Sequence, residues 1–182
     1  MRKSLNYCIA AICVLVSVAL MTSCGVGKST IDNSAVKEFE VEKYLGTWYE
    51  IARYDHPFER KLVGVSANYT KKGKRKLRVL NSGYKKSLSG KFKQAKGKAK
   101  IPRPKKAPAE LKVSFFACFY ADYFVMELDK DYQWAVVGSN TDEYLWILSR
   151  SPKMEASLYN ELLDKIKKRG YDVSLLMKVP QK

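Results

Sequence analysis

Between Gly46 and Ser149 the chain breaks into eight short runs of strand-forming residues, and this rhythm leaves few folds open. The runs cover residues 47–54, 63–70, 75–84, 91–101, 111–116, 123–128, 133–139 and 144–149, the fourth being unusually polar. Turn chemistry stands between them: Asp55, His56 and Pro57, then Lys72-Gly73, a proline-containing stretch at 102–108, Asp129 with Asp131, and residues 139–142. With no helical period between the runs, a βαβ architecture is excluded and an all-β, eight-stranded up-and-down antiparallel barrel is predicted; composition alone leaves a β-sandwich open. In the first run Trp48, Glu50, Ala52 and Tyr54 share one face, and Tyr49, Ile51 and Arg53 the other. Neither face is simply wet, so the strand needs an interior to line and something packed outside. Ser151-Pro152 ends the eighth run, and residues 155–169 then form an amphipathic helix with Leu158, Leu162 and Ile166 at four-residue spacing and Gly170 as its C-cap. That C-terminal helix supplies a cover for Tyr49 and Ile51, and residues 171–179 read as a short final strand.

The first 23 residues stand apart. Arg2 and Lys3 precede a thirteen-residue uncharged, mostly apolar stretch, residues 9–21, which is too short to span a bilayer comfortably and has the build of a signal peptide. It ends in Thr22-Ser23-Cys24, which resembles the lipobox of bacterial lipoproteins, in which the cysteine is acylated and becomes the first residue of the mature chain. The expected organisation is a signal peptide over residues 1–23, a lipid-anchored tether over 24–34 beginning at Cys24, and one domain over 35–182. Cleavage removes Cys8 and Cys13, lipid occupies Cys24, and Cys118 is left as one free thiol, so no intramolecular disulfide is available. The barrel must be held by its core, and some 159 mature residues suffice for that.

The stretch GTWYEIARYDHPFER from Gly46 to Arg60, the residues from Val113 to Phe116 with Phe119 and Tyr120, and YLWILSR from Tyr144 to Arg150 together resemble the bacterial lipocalins. These are outer-membrane lipoproteins related to apolipoprotein D. The resemblance covers residues 41–179 and is weakest in the middle. It implies a barrel with Gly46 and Trp48 at the start of the first strand, Arg150 lying across Trp48, and the last strand pairing back on the first. It also implies a non-enzymatic protein that stores or transports a small hydrophobic ligand, a fatty acid or lysophospholipid, in the bacterial envelope. Gly46, Trp48 and Arg150 receive structural roles. A strand count agrees, because an eighth strand running opposite to the first delivers Arg150 to the end that holds Trp48.

The other end is then the mouth. Strand parity points Tyr54 inward near its rim, and Trp146 shares the inward phase of Arg150. Asn68 and Trp146 match positions at which the apolipoprotein D relatives set an asparagine and a tryptophan into their pocket, so the predicted ligand-binding residues are Tyr54, Asn68 and Trp146. The alternatives are a structural lipoprotein whose barrel is filled, or a thiol-dependent lipid hydrolase using Cys118.

Net charge is +16, and it is concentrated: residues 71–106 hold sixteen basic side chains and no acidic one. Such a block admits nucleic acid as a partner. A signal peptide, and the lack of any RNA-binding or helix-turn-helix motif, argue against it. The block is expected to border the bottom loops, where the tether also starts, and so to face anionic headgroups while the mouth opens to the periplasm. His56 is the one histidine and completes no four-ligand set with Asp55 and Glu59, so no metal, cofactor or catalytic residue is expected.

Overall fold

A computed structural model describes residues 31–182; the predicted leader and Cys24 lie outside the described residues. A short helix, α1 (Val41–Tyr44), leads into eight antiparallel strands: β1 (Gly46–Arg53), β2 (Leu62–Gly73), β3 (Lys76–Lys85), β4 (Phe92–Lys100), β5 (Glu110–Phe116), β6 (Phe119–Leu128), β7 (Trp134–Gly138) and β8 (Leu145–Ser149). Each pairs with its neighbours in sequence, and β1 pairs with both β2 and β8, which closes the barrel. Helix α2 (Ala156–Lys168) follows, then a single 3-10 turn and a two-residue strand, β9 (Met177–Lys178), on the outer edge of β1. The final strand is far shorter than residues 171–179, because Asp172 caps the 3-10 turn Val173–Leu175 through its carboxylate to the amide of Ser174.

The core has two parts. Inside the barrel, Trp48, Tyr69, Leu77, Val79, Ala99, Leu111, Val125 and Val137 pack against one another, with Tyr44 of α1 beneath them. Outside it, Tyr159, Leu162 and Ile166 of α2 cover Ile51, Ala52, Met126, Val136 and Ile147. Burying each large aliphatic side chain of that stripe contributes about 1.5–3 kcal/mol. At the end of α2, Arg169 donates to Glu127 Oε1 at 2.8 Å and to the Met126 carbonyl at 2.8 Å, and it also reaches the carbonyls of Asp32 and Ser34.

Residues 31–34, read in sequence as tether, pack on the barrel: Asp32 pairs with Arg169 at 3.2 Å and Asn33 donates to the Ser139 carbonyl. The path of this segment also reverses an expectation. Ser139 belongs to the β7–β8 connection at the open end, whereas Glu40 further along donates its amide to the Tyr132 hydroxyl in the β6–β7 turn at the closed end. Residues 33–40 therefore run from the mouth side down to α1.

The closed end is built from Gly46, Trp48 and Arg150. The guanidinium carbon of Arg150 lies 3.9 Å from the Trp48 ring centroid, and its nitrogens donate to the carbonyls of Thr47, Lys43 and Tyr132. Trp48 in turn donates its indole N–H to the Tyr44 carbonyl at 2.8 Å. Gly46 adopts a φ of +94°, and a Cβ there would sit 3.3 Å from an Arg150 nitrogen. Gly46→Ala is expected to cost about 1–3 kcal/mol through this backbone strain, read as a lower urea midpoint with an unchanged slope.

Candidate ligand-binding site

The interior is floored by aromatic rings. Tyr123 shares hydroxyl hydrogen bonds with Tyr44 at 2.7 Å and Tyr69 at 2.9 Å, which satisfies three buried phenols at once. Burial pushes all three phenols up from their ordinary value.

Above the floor sits a polar cluster that the sequence did not announce. A β-bulge between Glu50 and Ala52 resets the alternation of β1, so Ile51 and Ala52 both join the core under α2 and Arg53 turns inward beside Glu50. Arg53 Nη1 donates to Glu50 Oε1 at 2.5 Å, and its Nη2 to the carbonyls of Glu59 and Leu62. The β1–β2 connection folds back so that His56 and Glu59 are buried. Glu59 accepts from Trp146 Nε1 at 3.2 Å and Asn81 Nδ2 at 3.3 Å, with His56 Nε2 3.0 Å away. Burial alone pushes the Glu59 carboxyl up, but His56 and the Trp146 indole together hold it below the ordinary carboxylate value. Glu50 goes the other way: burial and the neighbouring Glu59 charge push it well up, and Arg53 offsets only part of that.

Two of the predicted binding residues face away from this interior. Tyr54, displaced by the bulge, is buried in the outer cluster; its hydroxyl donates to the Asp172 carbonyl at 2.7 Å, and its ring lies 6.4 Å from Tyr171. Asn68 is corrected by register. Ala67, paired with Trp48, and Tyr69, paired with Gly46, both point inward, so Asn68 lies on the outer face and donates to Thr47 Oγ1 at 2.9 Å. The inward asparagine is Asn81, which pairs with Ala67. Trp146 is on the interior side, half-buried, with Tyr144 stacked 5.9 Å away and His56 edge-on at 5.2 Å.

The room above this cluster lies on the β3–β4–β5 side. Strands β3 and β4 pair over nine residues, but β4 and β5 over only three, at Lys98 to Lys100. Ala99 is buried and inward, so Gly97, Ala95 and Lys93 share its face, and Ala95 and Lys93 are exposed although they face inward. An exposed inward face means that solvent reaches the upper interior. Gly97 has a specific use there, since a Cβ would stand 2.7 Å from the Phe115 ring. Two shallow clefts of about 370 and 290 Å³ lie outside the barrel at its closed end, around Tyr132 with Arg150 and around Phe39 with Pro104.

Sequence reasoning did not place Arg53, Glu59, Asn81 and Lys93 on the interior side. The available signal was Glu50 and Arg53 three apart in a strand otherwise apolar, a spacing that strict alternation places on opposite faces and that only a bulge brings together.

A single-domain antiparallel barrel, sealed at one end by a Trp–Arg pair, open at the other and braced outside by one helix, defines the class of small-ligand barrels. The chain belongs to the lipocalin family: residues 39–181 match the model of the lipocalin-like domain. It is 41% identical over 169 residues to the outer membrane lipoprotein Blc of Vibrio cholerae, covering 92% of this chain and 96% of that one. It is 31% identical over 153 residues to mouse apolipoprotein D, covering 80% and 78% respectively. Among solved structures, insecticyanin from the tobacco hornworm superposes with a TM-score of 0.64 at 21% identity, covering 83% of this chain and 85% of that one, which bears on the fold alone.

Proposed function

We propose that the barrel stores or transports one acyl chain, that of a fatty acid or lysophospholipid, in the bacterial envelope. The observation that carries this reading is the exposed inward face of β4 at Ala95 and Lys93, which leaves the upper interior open to an apolar chain. Lys93, inward at the rim opposite Gly83, is placed to meet the carboxylate or phosphate of the head. Trp146→Ala is expected to weaken displacement of a fluorescent fatty acid about tenfold, which corresponds to about 1.4 kcal/mol. Folding should hold, since Glu59 keeps His56 and Asn81. Lys93→Glu should weaken a fatty acid severalfold and leave the matching fatty alcohol unaffected. Equal loss for both ligands would remove the head-group role.

The protein is further assigned to the outer membrane, held by acylated Cys24 and facing the periplasm. The leader and Thr22-Ser23-Cys24 support this, as does the relative named an outer membrane lipoprotein. Fractionation of cells making Cys24→Ala tests the anchor: the variant should leave the membrane fraction. No catalysis is assigned. Cys118 is exposed in the β5–β6 hairpin, whereas His56, the base a thiol hydrolase would need, is buried beside Glu59 and Trp146. The filled-barrel reading keeps one observation in its favour, namely that His56 and Glu59 occupy the centre of the interior. It predicts no saturable displacement at all.

A further inference from the structure

We infer that the open end of the barrel docks on a bilayer carrying anionic phospholipid, so that the mouth faces the membrane. The first observation is where the exposed apolar residues fall. Phe58, Phe92, Phe115, Phe116 and Phe119 are 79, 49, 45, 75 and 71% exposed. All five lie at the β1–β2, β3–β4 and β5–β6 connections, which share the open end. Phe116 and Phe119 stack at 6.3 Å with their planes 15° apart and project from the hairpin tip. Phenylalanine left in water at one end of a well-packed barrel marks a surface that is covered in use.

Charge says what covers it. Lys85, Lys86, Lys91 and Lys93 are exposed beside Phe92, on the connection next to the β5–β6 hairpin. Of the acidic residues at this end, Asp142 and Glu143 are on the β7–β8 connection, Asp172 lies beside Tyr54, Asp55 is paired with Arg60, and Asp122 is paired with Lys112. Aromatic rings ringed by unscreened lysines fit an interface of acyl chains under negative headgroups. They do not fit a second copy of this chain, because a two-fold contact through this face would set its lysines against themselves.

The path of the chain is the third observation. Ile31 lies on the mouth side, near Ser139 and the end of α2, and only six residues separate it from Cys24. That stretch spans at most about 25 Å, so a lipid on Cys24 would bring the mouth end to the membrane. This third point rests on the anchor proposed above; the phenylalanines and lysines do not. With the mouth down, a chain could pass from the bilayer through the gap between β4 and β5, beside Phe115, without crossing water.

The test uses the native processed protein reconstituted into vesicles of phosphatidylethanolamine with phosphatidylglycerol, with a nitroxide on Cys118, which is exposed between Phe116 and Phe119. One label per chain is expected if Cys24 carries lipid; two labels per chain would refute the anchor and leave docking to be read separately on the vesicle-bound fraction. The nitroxide should be shielded from a water-soluble nickel complex and open to oxygen in these vesicles. A Phe116→Ser, Phe119→Ser double variant, with an unchanged melting curve, should restore nickel access at least fivefold. A label as accessible to nickel on vesicles as in detergent would overturn the proposal. So would dipolar broadening between labels, which would assign the face to a second copy.

Discussion

Arg53→Met should lose about 3–5 kcal/mol of stability, the loss typical of removing one partner from a buried ion pair. The methionine keeps most of the stem volume, so the missing part is the guanidinium that bonds Glu50 and the carbonyls of Glu59 and Leu62. Glu50 is then buried beside Glu59 with no cation of its own. Its carboxyl already lies well above the ordinary value through burial, and losing Arg53 raises it further. A carboxyl whose folded value is raised contributes stability that is fully present below its unfolded value, near 4.5, and lost as pH rises toward the folded value. The variant's deficit should therefore be larger at pH 8 than at pH 5. Adding Glu50→Gln should recover most of it, because the pair is then removed together. A deficit that does not depend on pH, or no recovery in the double variant, would mean that Arg53 acts through packing alone.

Trp48→Ala is expected to cost about 3–5 kcal/mol, a large share of the 5–15 kcal/mol that holds a domain of this size. Trp48 is fully buried, and its removal strips the ring from under Arg150, the indole donor from the Tyr44 carbonyl and the neighbour from Tyr44 at 4.7 Å. The urea midpoint should fall by about 1–5 M for a slope near 1–3 kcal/mol/M. Trp146→Ala should leave that midpoint nearly in place while weakening binding. If the two variants lost stability and binding alike, the division between a sealed end and a binding end would fail.

The closed end was legible in the sequence because its parts are local. A glycine two residues before a tryptophan starts a strand, and a count of eight antiparallel strands returns Arg150 to the same end. Amphipathic spacing likewise placed α2, and Leu162 and Ile166 are buried where the four-residue repeat puts them. The open end was less legible, because its residues depend on departures from alternation. One bulge in β1 turned Tyr54 out and Arg53 in, and no propensity marks that bulge. Asn68 and Asn81 are both strand asparagines with apolar neighbours; only the register against Trp48 shows that Asn81 is the inward one. The direction of the first segment was hidden for a similar reason. Residues 31–34 carry no secondary structure of their own, and their position comes from Arg169, more than a hundred residues away.

Native mass spectrometry of the protein extracted gently from the cells that make it reads directly whether the upper interior holds an acyl chain beside Trp146. A single adduct with the mass of a fatty acid or a lysophospholipid is expected, exchangeable with added fatty acid and depleted in Trp146→Ala. Protein that carries no adduct, and takes none up when fatty acid is supplied in excess, would contradict that expectation and leave the barrel as a filled scaffold.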